Sequence, residues 1–133
     1  CGYVQSGNGI QPGAKLKTGS SITLTWQHID GDWWLIVNGK KSGYYPDSQW
    51  SGAFDQTGFA QTFGEVAVVS GNICHDMGDG KPGASKKAAT ITGVQFVGGS
   101  AVALVKDVDD PAENYTMAVT GADSMGYGGP GRG

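Results

Sequence analysis

Trp33-Trp34-Leu35-Ile36-Val37-Asn38-Gly39-Lys40-Lys41-Ser42-Gly43-Tyr44-Tyr45-Pro46 decides the fold. Its first five residues are aromatic or branched aliphatic, the types that fit a pleated, half-buried surface. Asn38-Gly39 is the preferred two-residue hairpin turn, because both residues tolerate positive φ. Residues 40–45 then pair back, and Pro46, which has no N–H to donate, ends the strand. Just upstream, Ile22, Leu24 and Trp26 alternate with Thr23, Thr25 and Gln27, the period-two mark of a further half-buried strand. Asp30-Gly31-Asp32 turns the chain between the two.

Working outward, residues 1–20 read as a short strand and an irregular connection, and 47–57 as a loop or short helix. A strand is expected over 61–70, followed by a long surface loop at 71–87 with four Gly, one Pro and two Asp. Further strands are expected over 88–97, 101–108 and 114–120, with a glycine-rich tail from Tyr127. Six or more short strands without helical periodicity predict an all-β fold, an antiparallel sandwich of two packed sheets. Composition agrees: eleven Val, six Ile and nine Thr stand against four Leu and two Glu, in a chain with 24 Gly. At 133 residues one domain is expected, able to bury roughly two-thirds of its unfolded surface.

A net charge of -3 and the scatter of the basic residues exclude a phosphate-neutralising stripe, and with it a nucleic-acid partner. No apolar run approaches the ~18 residues of a membrane span. Low charge and high Gly suit an exported protein, so a secreted, extracellular location is expected. There Cys1 and Cys74 are candidates for one disulfide, for pairing with other sequence, or for free thiols. No cofactor is expected. Cys74-His75-Asp76 are adjacent residues that seldom converge on one metal ion. Asp107, Asp109 and Asp110 read as a solvated turn before Pro111. A Ser-His-Asp hydrolase lacks its Gly-x-Ser-x-Gly elbow. Trp33 and Trp34 project to opposite faces of their strand, so one fills a core and the other is free to be a binding platform.

Glu65, in Gln61-Thr62-Phe63-Gly64-Glu65-Val66, is the carboxylate that stands apart. Ten of the twelve acidic residues are Asp, set mostly among turn formers where a charge is simply solvated. Glu65 leads into Val66-Ala67-Val68-Val69. A carboxylate beside a half-buried strand is protonated, paired, chemically active, or turned outward to solvent. The outward reading is the ordinary one. Gly64 would allow close approach of a partner strand or a substrate backbone. The only other Glu, Glu113, sits in a turn-like stretch and is a poor second carboxyl.

Several segments, in order, resemble the neprosin family of glutamic peptidases with proline-directed specificity. Cys1-Gly2-Tyr3-Val4-Gln5 is similar to the family's Cys-x-Gly-Phe-Val-Gln stretch, one residue shorter, and Gly31-Asp32-Trp33-Trp34-Leu35 to its Gly-x-Trp-Trp-Leu strand. Gly43-Tyr44-Tyr45-Pro46 resembles Gly-Tyr-Trp-Pro, and Met77-Gly78-Asp79-Gly80 resembles Met-Gly-Ser-Gly. The tail Tyr127-Gly128-Gly129-Pro130-Gly131-Arg132 is the sharpest match. By this resemblance Gln61 to Val66 aligns with Gln-Phe-Gly-Gly-Glu-Ile, which implies that Glu65 is one of two catalytic glutamates. Thr62 and Phe63 depart from that pattern. The family's other catalytic Glu lies upstream of the Cys-x-Gly-Phe-Val-Gln stretch, so residues 1–133 are expected to form the second half of a larger lectin-like sandwich.

Two functions follow as expectations. The first is a secreted, acid-active peptidase acting on peptide or protein substrates through Glu65 and an upstream Glu. Trp33 or Trp34, with Tyr44 and Tyr45, would line a cleft that stacks on proline rings. The second is a non-catalytic extracellular sandwich that binds peptide or glycan, or assembles through open strand edges. An upstream chain of the same precursor is a candidate partner in the first case, a second copy in the other.

Overall fold

The computed structural model describes residues 2–51, 54–67, 74–96, 98–99, 102 and 114–131. The chain divides into two compact units, residues 1–60 and 61–133. Both are antiparallel β structures, with four strands in one sheet and three in the other. The all-β, two-sheet expectation is borne out.

The first sheet has the order β1-β4-β3-β2, with β1 Val4–Gln5, β2 Leu24–Ile29, β3 Asp32–Val37 and β4 Lys40–Pro46. Both turns expected from sequence are two residues long with positive φ, Asp30 (52°) and Gly31 (84°) in one, Asn38 (50°) and Gly39 (75°) in the other. Such turns match the right-handed twist of the strands they join. Asn38 adds a lock: its Oδ1 accepts the Thr23 N–H at 2.8 Å, and its own N–H donates to Thr23 O at 2.9 Å. Leu35 pairs with Gly43 and Ile36 with Lys41, so Ser42 is the extra residue of a β-bulge and is fully buried. A single 3-10 turn, Asp47–Gln49, follows β4.

Register sorts the side chains of this sheet. Trp26, His28, Trp33, Leu35 and Tyr45 share one face; Gln27, Trp34, Ile36 and Tyr44 share the other. On the first face Tyr45 meets Tyr3 at 5.3 Å and Trp26 at 5.9 Å between ring centroids. Trp33 meets His28 at 5.2 Å and Phe54 at 5.3 Å, and Trp50 packs on Phe54 at 4.9 Å. Each such aromatic pair contributes about 0.5–1.5 kcal/mol beyond its buried area. His28 Nε2 also reaches both carboxylate oxygens of Asp47, at 3.0 and 2.9 Å, which ties the end of β2 to the 3-10 turn. On the opposite face Trp34 stacks on Tyr44 at 4.6 Å, with Lys41 Nζ 3.9 Å from the Trp34 ring centre.

The second sheet has the order β5-β7-β6, with β5 Ala89–Ile91, β6 Thr116–Gly121 and β7 Ser124–Gly128. Sequence reading assigns no element to residues 121–126 and starts the tail at Tyr127, so the central strand of this sheet is a correction. Met125 and Tyr127 alternate with Gly126 and Gly128, and residues without side chains conceal the period-two pattern. Those glycines are required by what lies against them. A methyl group at Gly128 (φ 140°) would sit 2.6 Å from Lys81 O and 2.7 Å from Met77 O. Gly126 touches Gly83 O in the same way. The backbone of the 77–88 connection therefore lies directly on one face of β7, pinned by paired Met77–Gly129 backbone hydrogen bonds of 3.0 and 3.3 Å. Tyr115 and Met125 are the buried apolar side chains here, as Val37 is in the first unit, among the described residues.

Two strand expectations need correction. Of the described residues 88–96 only Ala89–Ile91 is strand, and 61–67 is irregular. Residues 68–70 and most of 101–108 lie outside the described residues. The β-branched residues near 66 signal strand, but a strand exists only where a ladder partner accepts its N–H groups. Residues 61–67 make no backbone hydrogen bond among the described residues.

Candidate active site

Glu65 is exposed, in the irregular stretch 61–67. The outward reading of its side chain is correct, although no strand carries it. Among the described residues it makes no hydrogen bond or ion pair. Glu113 lies outside the described residues.

The stretch is located instead through Gly64. A methyl group there would lie 2.7 and 2.8 Å from Cδ2 and Cε2 of Tyr127, and 2.9 Å from Met77 Sδ. Glycine's lack of a side chain is thus used by a ring and a thioether of the same unit, where sequence reasoning anticipated a strand or substrate backbone. Tyr127 belongs to β7, paired with Ala89 on one side and Met117 on the other. Alternation along β7 directs it away from the face that Gly126 and Gly128 present to the 77–88 connection. One strand is therefore covered on both faces, by the connection on its glycines and by Gly64 on its tyrosine.

The connection is anchored again beyond Met77. Tyr115 Oη donates to His75 O at 2.7 Å, and Gly83 N–H donates to Thr116 Oγ1 at 2.8 Å. Asp79 Oδ1 accepts the Lys81 N–H at 3.1 Å and closes its turn. The motifs around Glu65, Met77 and Tyr127, far apart in sequence, meet at one place. Sequence reading missed the supporting roles of Met77 and Tyr127; the visible signal was Gly64 itself, a glycine directly before the carboxylate.

The four aromatic residues expected to line a cleft divide between two faces. Trp33 and Tyr45 lie on the face that carries Trp26, whereas Trp34 and Tyr44 lie on the reverse. One cleft can therefore use one pair only. Trp33 is further committed by its Nε1–H, which donates to Phe54 O at 2.6 Å. Trp26, 47% exposed, is the most open ring on its face.

The titration of the Tyr3 phenol is displaced upward. Burial, and next the Tyr45 phenol, raise it above the ordinary 10.0. Its Oη is buried without a hydrogen-bond partner among the described residues.

Cys74 is exposed and forms no disulfide among the described residues, and Cys1 lies outside them. No group of three or more His, Cys, Asp or Glu able to hold a metal occurs among the described residues. No helix among them is long and apolar enough to cross a membrane.

No curated protein and no solved structure matches the chain. A family model does, that of Neprosin, over residues 1–130. The ordered motifs and that match, which spans essentially the whole chain, agree: the chain belongs to the neprosin family.

Proposed function

We propose that this chain carries one half of the catalytic machinery of a secreted, acid-active glutamic peptidase that cuts peptides next to proline. Family membership suggests a peptidase-related function on peptide substrates. The observation that favours Glu65 is its state: an exposed carboxylate, free of partners among the described residues, next to a glycine seated on a sheet side chain. A free carboxylate can accept a proton from water as the water attacks a peptide carbonyl. The second carboxyl, kept protonated, would polarise that carbonyl; we assign it to sequence outside this chain. Two carboxyls that share a proton titrate as a pair and work in acid.

Trp33 and Tyr45, or Trp34 and Tyr44, supply rings on which a proline ring can stack. The test is cleavage of a set of peptides, with and without proline, at pH near 4 by the natural preparation. Cleavage next to proline that survives a metal chelator and a thiol reagent supports the reading. A preparation that cuts none of the peptides contradicts it.

A non-catalytic reading is favoured by a separate observation, the apolar side chains on sheet edges. Among the described residues β2 and β6 are edge strands, and Leu24 (59% exposed), Trp26 and Val119 (47% each) are open on them. Such edges can pair with another chain. Concentration-dependent assembly by sedimentation, with no cleavage at any pH, would favour that alternative.

A further inference from the structure

We propose that Tyr127 is the positioning residue for Glu65: its ring seats Gly64 and so fixes where the following carboxylate projects. Residues 61–67 have no backbone hydrogen bond among the described residues to hold them. Contact with Tyr127 and Met77 takes that place, at a separation that would put any Gly64 side chain within 3 Å of the Tyr127 ring. Tyr127 is itself held by pairing on both sides within the sheet. Met77 is held by its two backbone hydrogen bonds to Gly129. A rigid strand thus supports an otherwise unladdered segment at one point, directly beside the carboxylate. Reacting groups displaced by about 1 Å can lose about a hundredfold in rate, so a single seat of this kind carries weight in kcat rather than in substrate binding.

The contact is made by ring carbons, which gives the inference a sharp form. Tyr127→Phe preserves the seat; Tyr127→Ala removes it; Gly64→Ala fills it from the other side. The expected pattern in peptide cleavage is a kcat within about twofold of wild type for Tyr127→Phe, and a fall of about 10- to 100-fold for Tyr127→Ala with KM within about threefold. Gly64→Ala falls similarly. In the double variant Gly64→Ala/Tyr127→Ala, the vacated ring position admits the new methyl, so kcat recovers above that of Gly64→Ala alone. Equal losses in Tyr127→Phe and Tyr127→Ala would overturn the proposal by moving the role to the hydroxyl. A loss confined to KM, or strictly additive losses in the double variant, would also overturn it.

The kinetic readout rests on the peptidase reading, so a second measurement separates the two. Backbone NMR of Tyr127→Ala should broaden the amides of Gly64 and Glu65, while those of the paired strand residues Ala89 and Met117 stay sharp and move only by the lost ring current. Unchanged Gly64 and Glu65 signals refute the seat whether or not the protein cleaves peptides. Changed signals in a protein that cleaves nothing retain the seat and refute the peptidase.

Discussion

The two units are built from the same kind of strand and differ in emphasis: both bring backbone against glycine, the first at Gly7 and Gly9 beside Lys41 O, but only the first adds a network of rings. In the first, large side chains meet large side chains: seven aromatic pairings involve residues 3–54, and all four tryptophans lie there. In the second, backbone meets backbone across glycine, at Gly83, Gly126, Gly128 and Gly129. Side-chain packing tolerates small adjustments, because rings can tilt and long chains can choose another rotamer. Backbone packing does not, since the first atom added collides with the carbonyl of a neighbouring segment. The candidate catalytic carboxylate lies in the second unit, but the glycine before it, Gly64, rests on side chains, the Tyr127 ring and Met77 Sδ.

The contrast breaks most sharply under addition of one methyl. Gly128→Ala adds a Cβ against Lys81 O and Met77 O at a φ of 140°, and backbone strain with overpacking should cost about 3 kcal/mol or more. Hydrogen exchange is the measurement, with protection lost first at 114–131. If Gly128→Ala is as stable as wild type, backbone packing does not hold the second unit.

Truncation of a large ring is the matching test in the first unit. Trp33→Ala removes the contacts with His28 and Phe54 and the hydrogen bond to Phe54 O. Because Trp33 is only half-buried, the loss should be about 2 kcal/mol, below the 3–5 typical of a fully buried ring. Chemical denaturation followed by the remaining tryptophans reads it; a change under about 0.5 kcal/mol would deny the aromatic face its structural role.

The smallest effect is in alkali. With its folded-state value raised, the Tyr3 phenol holds its proton longer in the folded chain than in the unfolded one. Its contribution is therefore fully present below pH 10 and declines as pH rises through 10 toward the folded-state value. Tyr3→Phe should flatten stability against pH in that window and leave neutral stability nearly unchanged. The same alkaline slope in the variant would assign it to another group.

The same contrast explains what was legible in sequence. The β2-β3-β4 meander was readable because its determinants are local: alternation at Leu24 and Trp26, two-residue turns at Asp30-Gly31 and Asn38-Gly39, and Pro46 at the end. β7 was not, because Gly126 and Gly128 carry no hydropathy signal and their purpose lies far upstream in the chain, at Met77 to Gly83. Residues 61–67 misled in the other direction: strand-forming residues without a ladder partner. Glu65 is singled out by its neighbours in sequence and by family resemblance, whereas the contact of Gly64 with Tyr127 required the fold. The division of Trp33 and Tyr45 from Trp34 and Tyr44 follows from strand alternation and register, and only the first half of that was visible in advance.

Peptide cleavage at pH near 4 by Glu65→Gln, beside the wild type, tests the central claim most directly. Glutamine keeps the size of the side chain and removes its proton-accepting oxygen. Cleavage by the wild type and a loss of at least about a thousandfold in Glu65→Gln, with an unchanged circular dichroism spectrum, is the expected result. A Glu65→Gln protein that cleaves as fast as wild type would contradict it.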